Sequence, residues 1–184
     1  MPSRFETLAL PQLDAAFSLA FWLMRDRADA QDVVQDAYVR AIRGFGGFRG
    51  SDIRPWLLTI VRNTAWRALT VRRRGHNVIP IEAAWLGGGA DDPEPLQIAS
   101  SEPSAEARLI EAGDRAILTR ALDAMSPLFR EVLVLREVED LSYAEISTVI
   151  GVPTGTVMSR LSRARAELRR WFMEFERESG KHAV

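Results

Sequence analysis

Residues 142–172 read "SYAEISTVIGVPTGTVMSRLSRARAELRRWF". Ser142 followed three residues later by Glu145 is the capping-box pattern that opens a helix, because each side chain satisfies a backbone N–H that the first helical turn leaves unpaired. Gly151 closes that helix, Thr154 offers a cap for the next, and only "GVP" separates the two, the length and chemistry of a helix-turn-helix. The spacing of small Ser147, Gly151 four residues on and apolar Val157 six further is what close packing at a helix crossing requires. Upstream, Ser126 with Pro127 marks another helix start.

On a wheel of about 100° per residue, Val157, Leu161, Ala164 and Leu168 form one apolar stripe, continued by Trp171, Phe172 and Phe175. The opposite face carries Gly155, Ser159, Ser162, Arg163 and Ala166, and Arg160 and Arg165 sit on its shoulders. Five arginines fall in the eleven residues 160–170, and Glu167 is the only acid between Gly151 and Trp171. A helix entering the major groove needs small or hydrogen-bonding groups to admit base edges, a forked guanidinium to grip guanine, and cations for phosphates. Arg163 is the expected base reader. Thr156, Ser159 and Ser162 share its face, and Arg160, Arg165 and Arg169 suit phosphate.

A second basic segment, "DIRPWLLTIVRNTAWRALTVRRRG", begins at Asp52. Ile53, Leu57, Ile60, Val61, Thr64 and Ala68 occupy one face and Leu58 and Leu69 another, so most of such a helix is buried. One stripe remains, Thr59, Asn63 and Arg67 at i, i+4 and i+8, flanked by Trp56 and Trp66. Indole faces stack on any base while amide and guanidinium bond base edges, a combination suited to unstacked nucleotides. Trp56 serves equally well as core. Arg72, Arg73, Arg74 and His76 are expected to form a cationic loop beyond the helix.

The 184 residues are 47% hydrophobic and 27% charged with net charge −1, enough for one or two small globular domains. Of 24 basic residues 23 are arginine; residues 54–74 hold six arginines and no acid, and residues 75–104 hold five acids and no base. The latter stretch, rich in Gly, Pro, Ser and acids, reads as a flexible linker. Residues 8–69 read as about three helices broken near residues 25–28 and at the glycines of 44–52, and helical pattern resumes near residue 105 and runs to about 178. The expected fold is therefore all-α: two small helical domains joined by a flexible acidic linker, divided as 1–77, 78–104 and 105–178. No cysteine and only two histidines leave little room for disulfides, metal sites or thiol chemistry, so neither metal nor cofactor is expected. No nucleophile is paired with a base, and "GGGA" at 87–90 lacks the Lys and Ser/Thr of a phosphate loop, so no catalytic residue and no small-molecule substrate are expected. No apolar run approaches about 18 residues and the start is not of secretory type, which points to a cytoplasmic protein without membrane insertion.

Three blocks, "DAQDVVQDAYVRAIRGF", "FRGSDIRPWLLTIVRNTA" and "MSPLFREVLVLREVEDLSYAEISTVIGVPTGTVMSRLSRARAEL", resemble in order and spacing the bacterial extracytoplasmic-function (ECF) RNA polymerase sigma factors. The resemblance implies that a domain two binds the core polymerase clamp and melts the minus-ten element. It implies a domain four that reads the minus-thirty-five element, and an acidic linker threaded into the RNA exit and active-site channels. By position it makes Asp32, Gln35, Asp36 and Arg40 polymerase contacts, makes Asn63 part of the minus-ten reading site, and places the capture of a flipped-out base at residues 72–77. It further implies an anti-sigma factor that holds the protein inactive, with recruitment to the membrane through it. Met158 stands where the family usually has Lys or Arg, and Ser147 replaces the usual alanine. Two alternatives to a polymerase-binding factor are a sigma mimic that has lost its DNA-facing cations and a helix-turn-helix repressor acting as a two-fold dimer. Both basic clusters present here speak against the mimic.

Overall fold

A computed structural model describes residues 3–75 and 116–181. The linker at 78–104, both domain limits next to it, and His76 lie outside the described residues, as do the side chains of Arg73 and Arg74. Among the described residues the regular structure is helical, without strands.

Helix α1 (Arg4–Ala9) leads through a single 3-10 turn, Leu10–Gln12, into α2 (Leu13–Met24). Ser3 and Glu6 make a complete capping box at the first turn. This is the same S-x-x-E signature read at Ser142, here overlooked. Arg25 ends α2 in the left-handed region at φ 60°, and Asp26 caps α3 (Arg27–Gly44) by accepting from the Asp29 amide at 2.8 Å. The glycine-rich turn then gives α4 (Ile53–Gly75). Residues 71–75 are thus the last turn of a helix rather than the expected loop, because no residue in "ALTVRRRG" before Gly75 breaks the pattern.

The second half holds α5 over residues 116–124, α6 (Pro127–Leu133), a π-helical turn Val134–Val138, α7 (Tyr143–Ile150) and α8 (Thr154–Lys181). Ser126 takes the extended N-cap conformation ahead of Pro127, but its hydroxyl makes no capping bond. Gly151 closes α7 at φ 69°, a conformation that costs a side chain with a Cβ about 1 to 2 kcal/mol. The amides of Thr156 and Val157 donate to the Pro153 carbonyl, so the cap position falls on Pro153, and Thr154, the expected cap, is the first residue of α8.

The two helical domains pack against each other. Ala16, Leu19, Leu23 and Val33 of the first half, Leu58, Val61 and Ala65 of α4, and Ile146, Val149, Val157 and Leu161 of the second belong to one continuous buried cluster. Helix α7 packs along α4, and α6 against α2. A smaller cluster of Phe5, Ala9, Ala41, Ile53 and Leu57 lies under the glycine turn, with the rings of Phe45, Phe48 and Trp56 against it. The helical run Arg4–Met24, 21 residues, is long and apolar enough by composition to cross a bilayer, although Glu6 and Asp14 lie within it. Its Ala16, Leu19, Ala20, Leu23 and Met24 are spent on the protein's own core.

The capping box at α7 gives a test. Hydrogen bonds from the Ser142 hydroxyl and amide hold the Glu145 carboxyl below the usual carboxylate range. A carboxyl depressed in the folded state stabilises above its unfolded pKa, and that contribution is lost as pH falls through the folded value. Ser142→Ala is expected to cost about 0.5 to 2 kcal/mol at neutral pH, with the deficit shrinking under acid conditions, as read by urea denaturation at a series of pH values.

Candidate nucleic-acid interface

The outward face of α8 is built by burial of the opposite one. Val157, Leu161 and Ala164 are completely or almost completely buried against α6 and α7, leaving Met158, Ser159, Ser162, Arg163, Ala166, Arg169 and Arg170 exposed, with Thr156 and Arg160 at its edge. The Ser147 hydroxyl donates to the Val152 carbonyl at 2.6 Å, tying the turn to the first helix, which an alanine there does not do. Arg165 is already engaged: its guanidinium donates to Glu137 Oε1 at 2.6 Å, and that hydrogen bond raises its pKa further above the ordinary value. Both side chains are about half exposed, at 42% and 51%, so the pair contributes about 0.2 to 1 kcal/mol and a phosphate displaces the carboxylate at little cost. Trp171 stacks on Phe175 at 5.3 Å, and Arg120 of α5 lies over Phe175, which fixes the far end of α8.

On α4, Asn63, Trp66 and Arg67 line one shallow depression with Thr70 and Val71. Trp56 lies two turns away along the same helix, and its ring is taken up by Phe45 and Phe48, the packing role left open from sequence. The Thr59 hydroxyl donates to the Pro55 carbonyl at 2.7 Å, which engages it within its own helix. Arg72 pairs with Asp29 at the start of α3. The stripe is therefore centred on Asn63, Trp66 and Arg67.

Trp66 is not free either. Its indole N–H donates to Glu131 Oε1 at 3.0 Å, and Arg62 donates to the same oxygen at 2.6 Å from above the indole ring. Glu131 has no exposed side-chain surface. Arg62 and Glu131 were not singled out from sequence; a lone Glu in "FREVL" carries no signal of a partner 69 residues away.

The third group lies on α3. Asp32, Gln35 and Arg40 are exposed and Asp36 half-buried, opposite buried Val33, Ala37 and Ala41, as the helical spacing predicts. Arg40 pairs with Asp36 at 2.9 Å one turn away. Beside Gln35 runs an apolar groove that sequence reading missed, floored by Val34, Phe17 and Tyr38 and rimmed by exposed Leu10 and Leu13. The Tyr38 hydroxyl donates to the Ala9 carbonyl at 2.8 Å, and burial pushes its pKa up to about 12. Leu10 of the 3-10 turn, Leu13 and Phe17 of α2, and Val34 and Tyr38 of α3 share no common periodicity, so the groove exists only once α2 and α3 are packed.

No group of His, Asp or Glu among the described residues is arranged to hold a metal. Cationic and stacking groups on α4 and α8 form exposed surfaces of a kind suited to a polyanion.

Residues 11–75 match the family Sigma-70 region 2, and residues 115–168 match Sigma-70, region 4. The chain is 34% identical over 186 residues to the ECF RNA polymerase sigma factor SigE of Mycolicibacterium smegmatis, covering 100% of this chain and 66% of that relative. It is 32% identical over 176 residues to the RNA polymerase sigma-H factor of Pseudomonas aeruginosa, covering 95% of this chain and 89% of the relative. Among solved structures it resembles the sigma factor RpoE of Bartonella quintana in complex with the anti-sigma factor NepR. That match has a TM-score of 0.72 at 26% identity, over 92% of this chain and 96% of the other.

Proposed function

Because the chain belongs to the ECF RNA polymerase sigma factors, we propose that it docks on core RNA polymerase and directs initiation at promoters whose minus-ten and minus-thirty-five elements it reads with α4 and α8. The observation that carries this reading is the outer face of α8. Ser159, Ser162 and Arg163 stand exposed opposite buried Val157, Leu161 and Ala164, on a helix locked to α7 by the left-handed Gly151. The matched spans support a division into domain two (1–77), linker (78–104) and domain four (105–178).

Arg163 is the base reader, with Thr156, Ser159 and Ser162 beside it, and Arg160, Arg165 and Arg169 hold phosphates. Asn63, Trp66 and Arg67 receive the melted minus-ten strand, supported by Thr59, Trp56 and the basic run Arg72, Arg73, Arg74 and His76. Unpairing costs a few kcal/mol per base, which stacking on Trp66 at about 1 to 3 kcal/mol per base offsets. Asp32, Gln35, Asp36 and Arg40 contact polymerase, and the groove of Leu10, Leu13 and Phe17 next to them adds apolar area to that face. The protein works without catalysis or cofactor, in the cytoplasm, and is restrained by an anti-sigma factor, as RpoE is found in complex with NepR. Recruitment to the membrane through that partner belongs to the same reading.

Two experiments test it. Purified chain should co-elute with bacterial core polymerase, and Asp32→Arg with Gln35→Ala should abolish co-elution while leaving the helical content unchanged; binding that survives the double variant sinks the docking face. In promoter binding by the holoenzyme, Arg163→Ala should cost about 1 to 3 kcal/mol at one minus-thirty-five position only. Arg165→Ala should weaken binding at all sequences and lower the salt slope by about 1. Equal, sequence-blind losses from both would remove Arg163 as the reader.

A further inference from the structure

Met158 is the one large apolar side chain that stands exposed among residues 154–170, at 53%, while Val157, Leu161 and Ala164 of the same helix are buried. On the helical wheel it lies about 100° from Val157, and the ridge it opens continues through Ser162, Arg165 and Arg169. Arg165 of that ridge is drawn toward Glu137. Gly155, three residues before Met158 and on the same side, is exposed and has nothing within 4 Å of where a Cβ would stand. The surface beside Met158 is therefore open to an approaching base edge.

A single exposed apolar side chain is ordinary on a protein surface, but the position of this one is informative. It stands in the second turn of α8, and the first turns of the second helix are those that a helix-turn-helix presents to base edges. The other exposed residues from 154 to 163 are Thr154, Gly155, Ser159, Ser162 and Arg163, all polar or without a side chain. The major groove offers one apolar feature, the C5 methyl of thymine; its other base-edge groups are hydrogen-bond donors and acceptors. A thioether donates no hydrogen bond and accepts only weakly, so it cannot satisfy an amino or carbonyl edge. Its unbranched, polarizable chain does adapt to a methyl group. Met158 and Arg163 stand about 140° apart around the helix and about 7.5 Å apart along it, roughly two base-pair steps of about 3.4 Å. The two side chains thus meet different base pairs.

We infer that Met158 is a specificity-determining residue: it packs on the C5 methyl of a thymine in the minus-thirty-five element and selects T·A about two steps from the pair that Arg163 reads. This rests on the proposed reading of α8. A cytosine at that place lacks the methyl and turns an amino donor toward a sulfur that accepts poorly.

The test uses the full chain assembled with core polymerase and a promoter pool randomised over the minus-thirty-five element. Selection should recover a fixed T·A pair distinct from the pair that depends on Arg163. In the recovered promoter, deoxyuridine then replaces each thymine of the element in turn, which removes the C5 methyl and nothing else. One such replacement should weaken binding about fourfold, the effect of one buried methyl-sized group. Met158→Ala should bind the thymine and deoxyuridine promoters equally, with the salt slope unaltered because no phosphate contact is lost. Met158→Leu should keep the preference for thymine. The side chain is exposed, so Met158→Ala should leave the urea midpoint in place, which separates a lost contact from a lost fold. An element in which no thymine responds to loss of its methyl, or a response that survives in Met158→Ala, would overturn the inference and leave the proposed function standing. A pool from which the assembled protein selects no sequence would instead sink the proposed function, and the role of Met158 with it.

Discussion

Arg130 and Glu131, consecutive residues at the centre of α6, hold the molecule together from opposite sides. The Arg130 guanidinium donates to the carbonyls of Leu122, Asp123 and Met125, closing the end of α5, and to Trp22 near the end of α2. Those are the carbonyls that helix ends leave without an amide partner, and a cation is the group the helix dipole favours there. Burial, then the nearby Arg25 charge, pushes its pKa down to about 10, which still leaves it charged at neutral pH. Glu131 points the other way and takes Arg62 and Trp66 of α4. Breaking such a buried pair from one side costs about 3 to 5 kcal/mol, because the remaining charge is stranded. Helix α6 is thus bonded to α2, α4 and α5 at once.

That arrangement places two demands on α4. Leu57, Leu58, Val61 and Ala65 are buried and commit most of its circumference to the core. What remains polar divides between Arg54 and Arg62, facing the second half, and Asn63 and Arg67, facing outward. Trp66 sits on the border, with its N–H committed to Glu131 and its ring edge lining the outer depression. Little of the surface of α4 is therefore left free of packing duty.

Helices α7 and α8 show the opposite situation, in which local and tertiary preferences agree. The Ser142–Glu145 box, the Gly151 turn and the Val157, Leu161, Ala164 stripe each specify the same pair of helices. The Ser147 hydroxyl bonds the Val152 carbonyl and so closes the turn it packs against. The face left outside has no structural duty apart from the Arg165–Glu137 pair, which is free to dissociate.

The all-α character, the breaks at Arg25 and at the glycines, the buried and exposed faces of α3, α4 and α8, and the cationic outer face of α8 were legible in the sequence alone. All depend on interactions within about four residues or on a 3.6-residue period. What sequence missed was the first capping box, the continuation of α4 to Gly75, the α7–α4 interface, and the partners of Arg54, Arg62, Arg72 and Trp66. The capping box was within reach of the same local signal. The partners were not, since an arginine looks the same in sequence whether its carboxylate lies 85 residues away, as Glu139 does for Arg54, or its partner is a phosphate of DNA. Periodicity decides which side of a helix is buried; only the packed chain decides which charge stands opposite.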